Sequence, residues 1–149
     1  QAEKQLLAVG RRMWMRAADV LGVLHRKLRV SCGMTPASLQ RATRILRRLL
    51  ASPTAVQLLH NRHLHQVVMC VIFGASKVEG DSGVTFKAIV AEHKGALDCG
   101  EALYWSVGMH KGASKPPASG TQTGNIIEFY NGVFIPACKN LLLNDDKAP

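Results

Sequence analysis

The chain has 149 residues, of which 47% are hydrophobic but only 5% aromatic. That length suits one domain with a core of Leu, Val, Ile and Ala, a composition that leans to helix, and the longest apolar run, nine residues from Val67 to Ala75, is too short to cross a bilayer. The net charge of +9 is concentrated at the front: residues 1–62 hold twelve Lys and Arg against Glu3 and Asp19, and the rest holds seven against eight acids, so a basic face open to nucleic acid, an anionic membrane or an acidic peptide is expected over the first third.

Leu6, Val9, Met13, Ala17, Val20, Leu21, Leu24 and Leu28 recur in steps of three and four. They make one stripe of a long helix, flanked by Arg11, Arg12, Arg16, Arg26 and Lys27 and ended by Ser31-Cys-Gly33. Thr35-Pro36 is a helix-start signal, an N-cap hydroxyl followed by Pro at the first helical position. The helix after it buries Leu39, Ala42, Ile45, Leu46 and Leu49 and turns Arg41, Arg44, Arg47 and Arg48 outward. Ser52-Pro53 repeats the signal and predicts a short helix to about His60. Both dipeptides also have the form of proline-directed kinase sites, but capping needs only local chemistry and is the preferred reading.

Asn61 is placed to cap a helix from Arg62 to about Ser76. Its Leu64, Val67, Val68, Val71, Ile72 and Ala75 are apolar nearly all round, which predicts the centre of a bundle. Glu79-Gly-Asp-Ser-Gly83 reads as a loop. A helix with Phe86, Ile89 and Val90 follows to near Gly95, and another is expected over Leu97 to Met109. Residues 111–124 lack large apolar side chains and predict a mobile loop. The last helix runs from about Asn125 to Leu143, with a kink at Pro136, which has no amide hydrogen. No segment alternates as a strand does. The expectation is an all-α fold of six or seven helices around one buried helix, with residues 145–149 as a tail.

Cys32, Cys70, Cys99 and Cys138 are scattered and show no paired spacing, which fits a reducing compartment. His60, His63 and His65, with Cys70 nearby, resemble a metal cluster at first glance. On a helix, however, His60 and His63 share a face while His65 points elsewhere, and zinc needs three or four converging ligands. No metal and no cofactor are expected. Nor is there a nucleophile elbow, a phosphate-binding Gly loop or a useful carboxylate pair, so no enzymatic activity is expected. The opening Gln1, where a Met would stand, is what a piece of a longer polypeptide would show.

Four stretches resemble one family. They are Asn61-Arg-His-Leu-His-Gln66 with Met69-Cys70 and Phe73-Gly-Ala-Ser-Lys-Val78; Val84-Thr-Phe-Lys-Ala-Ile-Val90; Ile126-Ile-Glu-Phe-Tyr-Asn-Gly-Val-Phe134; and Ile135-Pro-Ala-Cys-Lys139 with Leu141-Leu142. In this order and spacing the chain is similar to the B box of retinoblastoma-family pocket proteins over residues 5 to 143, weakly in 31–60 and 96–124. The Phe-Ile-Pro-Ala-x-Lys ending is most similar to plant and green-algal members. The resemblance implies a cyclin-like five-helix box with additional helices over residues 1–144.

It also implies a nuclear regulator of the cell cycle and transcription, whose B half docks peptides of the form Leu-x-Cys-x-Glu. In the family, D-type cyclins, chromatin modifiers and viral oncoproteins carry such peptides. Tyr130 and Asn131 match the pair that hydrogen-bonds the peptide backbone. Phe73, Cys70, Ile127, Phe129 and Phe86 match the pocket wall, and Lys77, Lys87 and Lys139 match basic rim residues. Arg11 matches a position near the interface with the A box, which completes the pocket that represses S-phase transcription factors. Two departures stand out. Phe73 replaces a common Tyr, and the loop before Phe86 is one residue longer with Thr85 in place of a frequent Lys. Neither nucleic acid nor a membrane is an expected partner. The alternatives are a basic helical nucleic-acid-binding domain using residues 11–48 and a cyclin-like kinase partner, for which the sequence offers no kinase-facing surface.

Overall fold

A computed structural model of the chain describes residues 2–60, 62–97, 99–109 and 123–144, with side chains from residue 10 onward. The chain opens with α1 (Ala2–Cys32), α2 (Pro36–Leu50) and α3 (Pro53–Leu59). The α1 stripe from Ala17 to Leu28 is buried as its spacing requires; Leu6 and Val9 lie outside the described side chains. Thr35 caps α2, its hydroxyl accepting from Ser38 N–H at 3.2 Å. Ser52 marks the start of α3 differently. Its hydroxyl makes no cap bond and donates back to the Leu49 carbonyl at 2.8 Å.

The fourth helix, α4 (Leu64–Glu79), is the centre of the fold. It touches α1, α2, α3 and α5 and the final helical segments, and ten of its sixteen residues are buried. It starts two residues later than expected. His63, not Asn61 (outside the described residues), is the cap: its Nδ1 accepts from His65 N–H at 3.1 Å, and Gln66 Oε1 accepts from His63 N–H at 3.0 Å. It ends at Gly80 in the left-handed region (φ 81°), with Asp81 N–H donating to the Ser76 carbonyl at 2.8 Å. Gly83 then passes so close to α1 that a Cβ there would lie 2.9 Å from the Cys32 carbonyl oxygen.

Asp81 ties this loop to the start of α2. One carboxylate oxygen accepts from Thr35 N–H at 3.0 Å, from the Thr35 hydroxyl at 2.8 Å and from the Ser38 hydroxyl. The charge also sits at the positive end of the α2 dipole. Desolvation pushes the carboxyl pKa up, but the bonds from Ser38 and Thr35 together outweigh it and hold it below its ordinary 3.8.

After α5 (Phe86–Leu97) the structure departs from expectation. In place of a helix to Met109 there is one turn, α6 (Ala102–Trp105), and a two-residue strand, β1 (Val107–Gly108), antiparallel to β2 (Thr123–Gly124). Thr123 and Gly124 are thus paired, at the end of the segment expected to be a mobile loop. Residues 110–122 and the tail from 145 lie outside the described residues. Arg62 clamps the turn from the other side, donating to the carbonyls of Gly108 and Leu58 at 2.9 Å each.

The final helical run comprises α7 (Ile126–Phe129), a π-helical turn at Tyr130–Phe134, and α8 (Ile135–Leu143). Asn125 and Glu128 form a capping box at its start, with bonds of 2.8 and 2.9 Å. Pro136 cannot donate to the carbonyl four residues back. The chain meets this with a wider turn just ahead of it, in which Ile135 N–H reaches the Tyr130 carbonyl. The expected kink is therefore a π-turn.

Replacing Asp81 by Asn is expected to lower unfolding free energy at neutral pH by about 1–3 kcal/mol, the range for hydrogen bonds to a charged group. Because the folded pKa lies below the unfolded one, the contribution is complete above the unfolded value and fades as pH falls through the folded value. Urea unfolding of both proteins should give a constant difference above about pH 5 that shrinks in acid. A pH-independent difference would remove the carboxylate from the account.

Candidate peptide-binding groove

The π-turn sets the geometry of the site. An extra residue in the turn shifts every side chain after it around the helix axis. Tyr130 and Phe134 come out stacked, with centroids 5.6 Å apart. Tyr130 meets Phe73 of α4 edge-on at 4.9 Å and Phe86 of α5 at 5.3 Å, and Phe73 and Phe86 stack at 4.3 Å. Such ring pairs contribute about 0.5–1.5 kcal/mol each beyond area burial. The cluster pins α4, α5 and the π-turn at one point.

An open hollow lies on each side of the cluster. The first, about 360 Å³, is lined by Gly74, Lys77, Val78, Tyr130, Ile135, Lys139, Leu142 and Leu143. Gly74 makes it possible: a Cβ there would stand 2.9 Å from Leu142 Cδ2 and 3.4 Å from the Tyr130 hydroxyl. Burial, and then the nearby Cys70, push the Tyr130 phenol up to about 12, so it stays protonated and able to donate. The second hollow, about 370 Å³, is lined by Phe86, Lys87, Val90, Ala91, Lys94, Trp105, Ile126 and Ile127. Trp105 is 53% exposed and Ile127 47%. Lys94 pairs with Glu101 at 3.0 Å and lies over the Trp105 ring at 5.8 Å.

Most of the side chains singled out from sequence converge here. Phe73, Phe86 and Tyr130 form the cluster, Lys77 and Lys139 border the first hollow, and Lys87 and Ile127 border the second. Asn131 is exposed beside Tyr130 on the π-turn and lines neither hollow. Two residues need correction. Cys70 and Phe129 are fully buried and cannot form an accessible wall. Phe129 lies beneath the Arg62 guanidinium at 4.7 Å, and burial drives the Cys70 thiol pKa well up. Arg11 is exposed on α1.

The sequence reading missed Lys94, Val90 and Trp105. Val90 and Lys94 follow Lys87 at three and seven residues, one helical face, and could have been found. Trp105 could not, because its segment was expected to continue as helix. The arginines of α2 largely serve their own chain: Arg41 Nε pairs with Glu79 at 2.8 Å and Arg47 lies over Trp14 at 4.8 Å.

The family model described as the retinoblastoma-associated protein B domain matches residues 5–139. Among curated relatives, retinoblastoma-related protein 1 of Oryza sativa subsp. indica is 33% identical over 106 residues, covering 70% of this chain and 10% of that protein. Retinoblastoma-related protein 3 of Zea mays gives the same figures. The retinoblastoma-related protein of Cocos nucifera is 33% identical over 100 residues, 66% of this chain and 10% of its own length. The chain spans about a tenth of the length of these relatives. With its all-α, cyclin-like architecture, the chain belongs to the retinoblastoma-associated protein B-domain family.

Proposed function

We propose that this chain, over residues 1–144, is the B half of a pocket protein and works as a non-enzymatic docking module for peptides of the form Leu-x-Cys-x-Glu. The observation that carries the reading is the aromatic cluster of Phe73, Phe86 and Tyr130, set between two hollows with lysines on their rims. An extended peptide bares its backbone N–H and C=O groups, and the Tyr130 hydroxyl and Asn131 amide are the groups to satisfy them. The peptide Leu and Cys enter the apolar hollows. Burying one such Leu contributes about 1.5–3 kcal/mol. Lys77, Lys87 and Lys139, joined by Lys94, attract the peptide Glu and speed encounter more than they raise affinity.

The partners follow from the family: D-type cyclins, chromatin modifiers and viral oncoproteins that carry the motif, met in the nucleus. Repression of S-phase transcription factors belongs to the complete pocket, in which α1 with Arg11 faces the A half. Phe73 lacks the hydroxyl of the common Tyr, which weakens peptide binding by about 0.5–1.5 kcal/mol without abolishing it.

Fluorescence anisotropy with a labelled Leu-x-Cys-x-Glu peptide tests this directly. Asn131→Ala should raise Kd about 5- to 150-fold, the equivalent of roughly 1–3 kcal/mol of lost hydrogen bonding, with an unchanged circular dichroism spectrum. Unchanged affinity would refute the role given to Asn131, and no binding by the parent chain would refute the docking role. Reversing Lys77 and Lys139 together to Glu should lower the association rate at low salt by about 10-fold or more and flatten its salt dependence, as stopped-flow measurements would read. A rate insensitive to both charges would exclude them from the rim.

A further inference from the structure

Chemistry also gathers at the other end of α4, about 18 Å from Lys77 along the helix axis at ~1.5 Å per residue. His63, His65 and Cys99 each offer one ligand atom there, and these atoms all lie within 4.8 Å of one another. The histidine pair was visible in the sequence, but its third ligand, Cys99, was not, and no metal was expected. His63 and His65 do not share a helical face, but His63 is the cap and lies outside the helix, free of its geometry. Cys99 arrives from the loop after α5, which the sequence could not place.

The spacing fits one class of ion. In a tetrahedral zinc site with Zn–N of about 2.0–2.1 Å and Zn–S of about 2.3 Å, ligand atoms stand about 3.3–3.6 Å apart. Cys99 Sγ already lies 3.6 Å from His65 Nδ1. His63 and Cys99 are exposed and can close the remaining distance by side-chain rotation. The two imidazoles also line an open hollow of about 290 Å³ against Arg16 and Asp19 of α1, which gives an ion a way in. His93 stands behind the cluster, fully buried, with Nε2 2.8 Å from His65 Nδ1 and Nδ1 2.5 Å from the Tyr104 hydroxyl. His65 Nδ1 faces both His93 and Cys99, so binding an ion there exchanges the His93 bond for a metal bond, while His93 stays on Tyr104.

We propose that His63, His65 and Cys99 bind a zinc-type transition-metal ion that clasps the loop after α5 to the start of α4. Imidazole and thiolate donors select zinc and its neighbours over magnesium or calcium. Cys99 binds as the thiolate and its proton passes to solvent. His63 gives up its cap bond to His65 N–H if it binds through Nδ1, and the metal bond replaces it. The site is independent of the peptide groove.

Titration of the 149-residue chain with Co²⁺, followed by Zn²⁺ competition, tests it. A single saturable site is expected, with thiolate-to-cobalt charge-transfer absorption and tetrahedral ligand-field bands that Zn²⁺ abolishes. Cys99→Ser should remove the charge-transfer band and weaken Zn²⁺ binding at least about 10-fold, with a parallel loss for His63→Gln. Cys32→Ser and His60→Ala should leave both readouts unchanged. Zn²⁺ should also raise the thermal midpoint of the parent chain but not of Cys99→Ser. Absence of saturable uptake, or a charge-transfer band that survives Cys99→Ser, would overturn the proposal.

Discussion

A helix that is apolar on every side has to be enclosed on every side, and the rest of this fold follows from enclosing α4. It is packed against α1, α2 and α3. Towards its C-terminal half Phe73 is only half-buried, Gly74 presents no side chain, and the Tyr130 ring closes the gap from the π-turn. One phenol therefore serves both the core and the groove. Its ring is packed in the core, and its hydroxyl lies over Gly74 at the edge of an open hollow. A straight α-helix through Pro136 would have aimed these side chains elsewhere, so the imino acid in α8 and the groove beside α4 are linked by backbone geometry.

Much of this was legible in the residues. The stripe of α1, the Thr35-Pro36 start of α2 and the all-round apolarity of α4 each follow from spacing, and burial agrees with them. The resemblance to the pocket B box brought out the aromatic and lysine positions that converge on the groove. What was not legible has physical reasons. Cys70 and Phe129 sit in the same motifs as the groove residues, but motif membership says nothing about which side of a helix faces water. The π-turn could be foreseen as a disturbance at Pro136, though not as an added residue. Of the helix expected after α5 only one turn, α6, forms: Gly100 takes a left-handed φ of 91°, and Val107 is drawn into a strand pairing with Gly124, seventeen residues on. Long-range pairing of that kind leaves no local trace.

The charge asymmetry also changes meaning once side chains are placed. The excess of Lys and Arg over residues 1–62 reads as a surface for polyanions, yet the α2 arginines reach back to Glu79, Trp14 and the end of α8. By contrast, the nearly neutral remainder places four lysines, at positions 77, 87, 94 and 139, around two apolar hollows. Net charge by segment is a poor guide to where a charged ligand goes; the arrangement of a few cations around buried apolar surface is a better one.

The central claim is spatial: an extended peptide lies across the Phe73–Phe86–Tyr130 cluster. Chemical-shift mapping on the isotopically labelled chain during titration with a Leu-x-Cys-x-Glu peptide tests it most directly. The account predicts perturbed amides in residues 73–78, 86–94 and 126–143. Shifts concentrated on α1 and α2, with that surface silent, would contradict it.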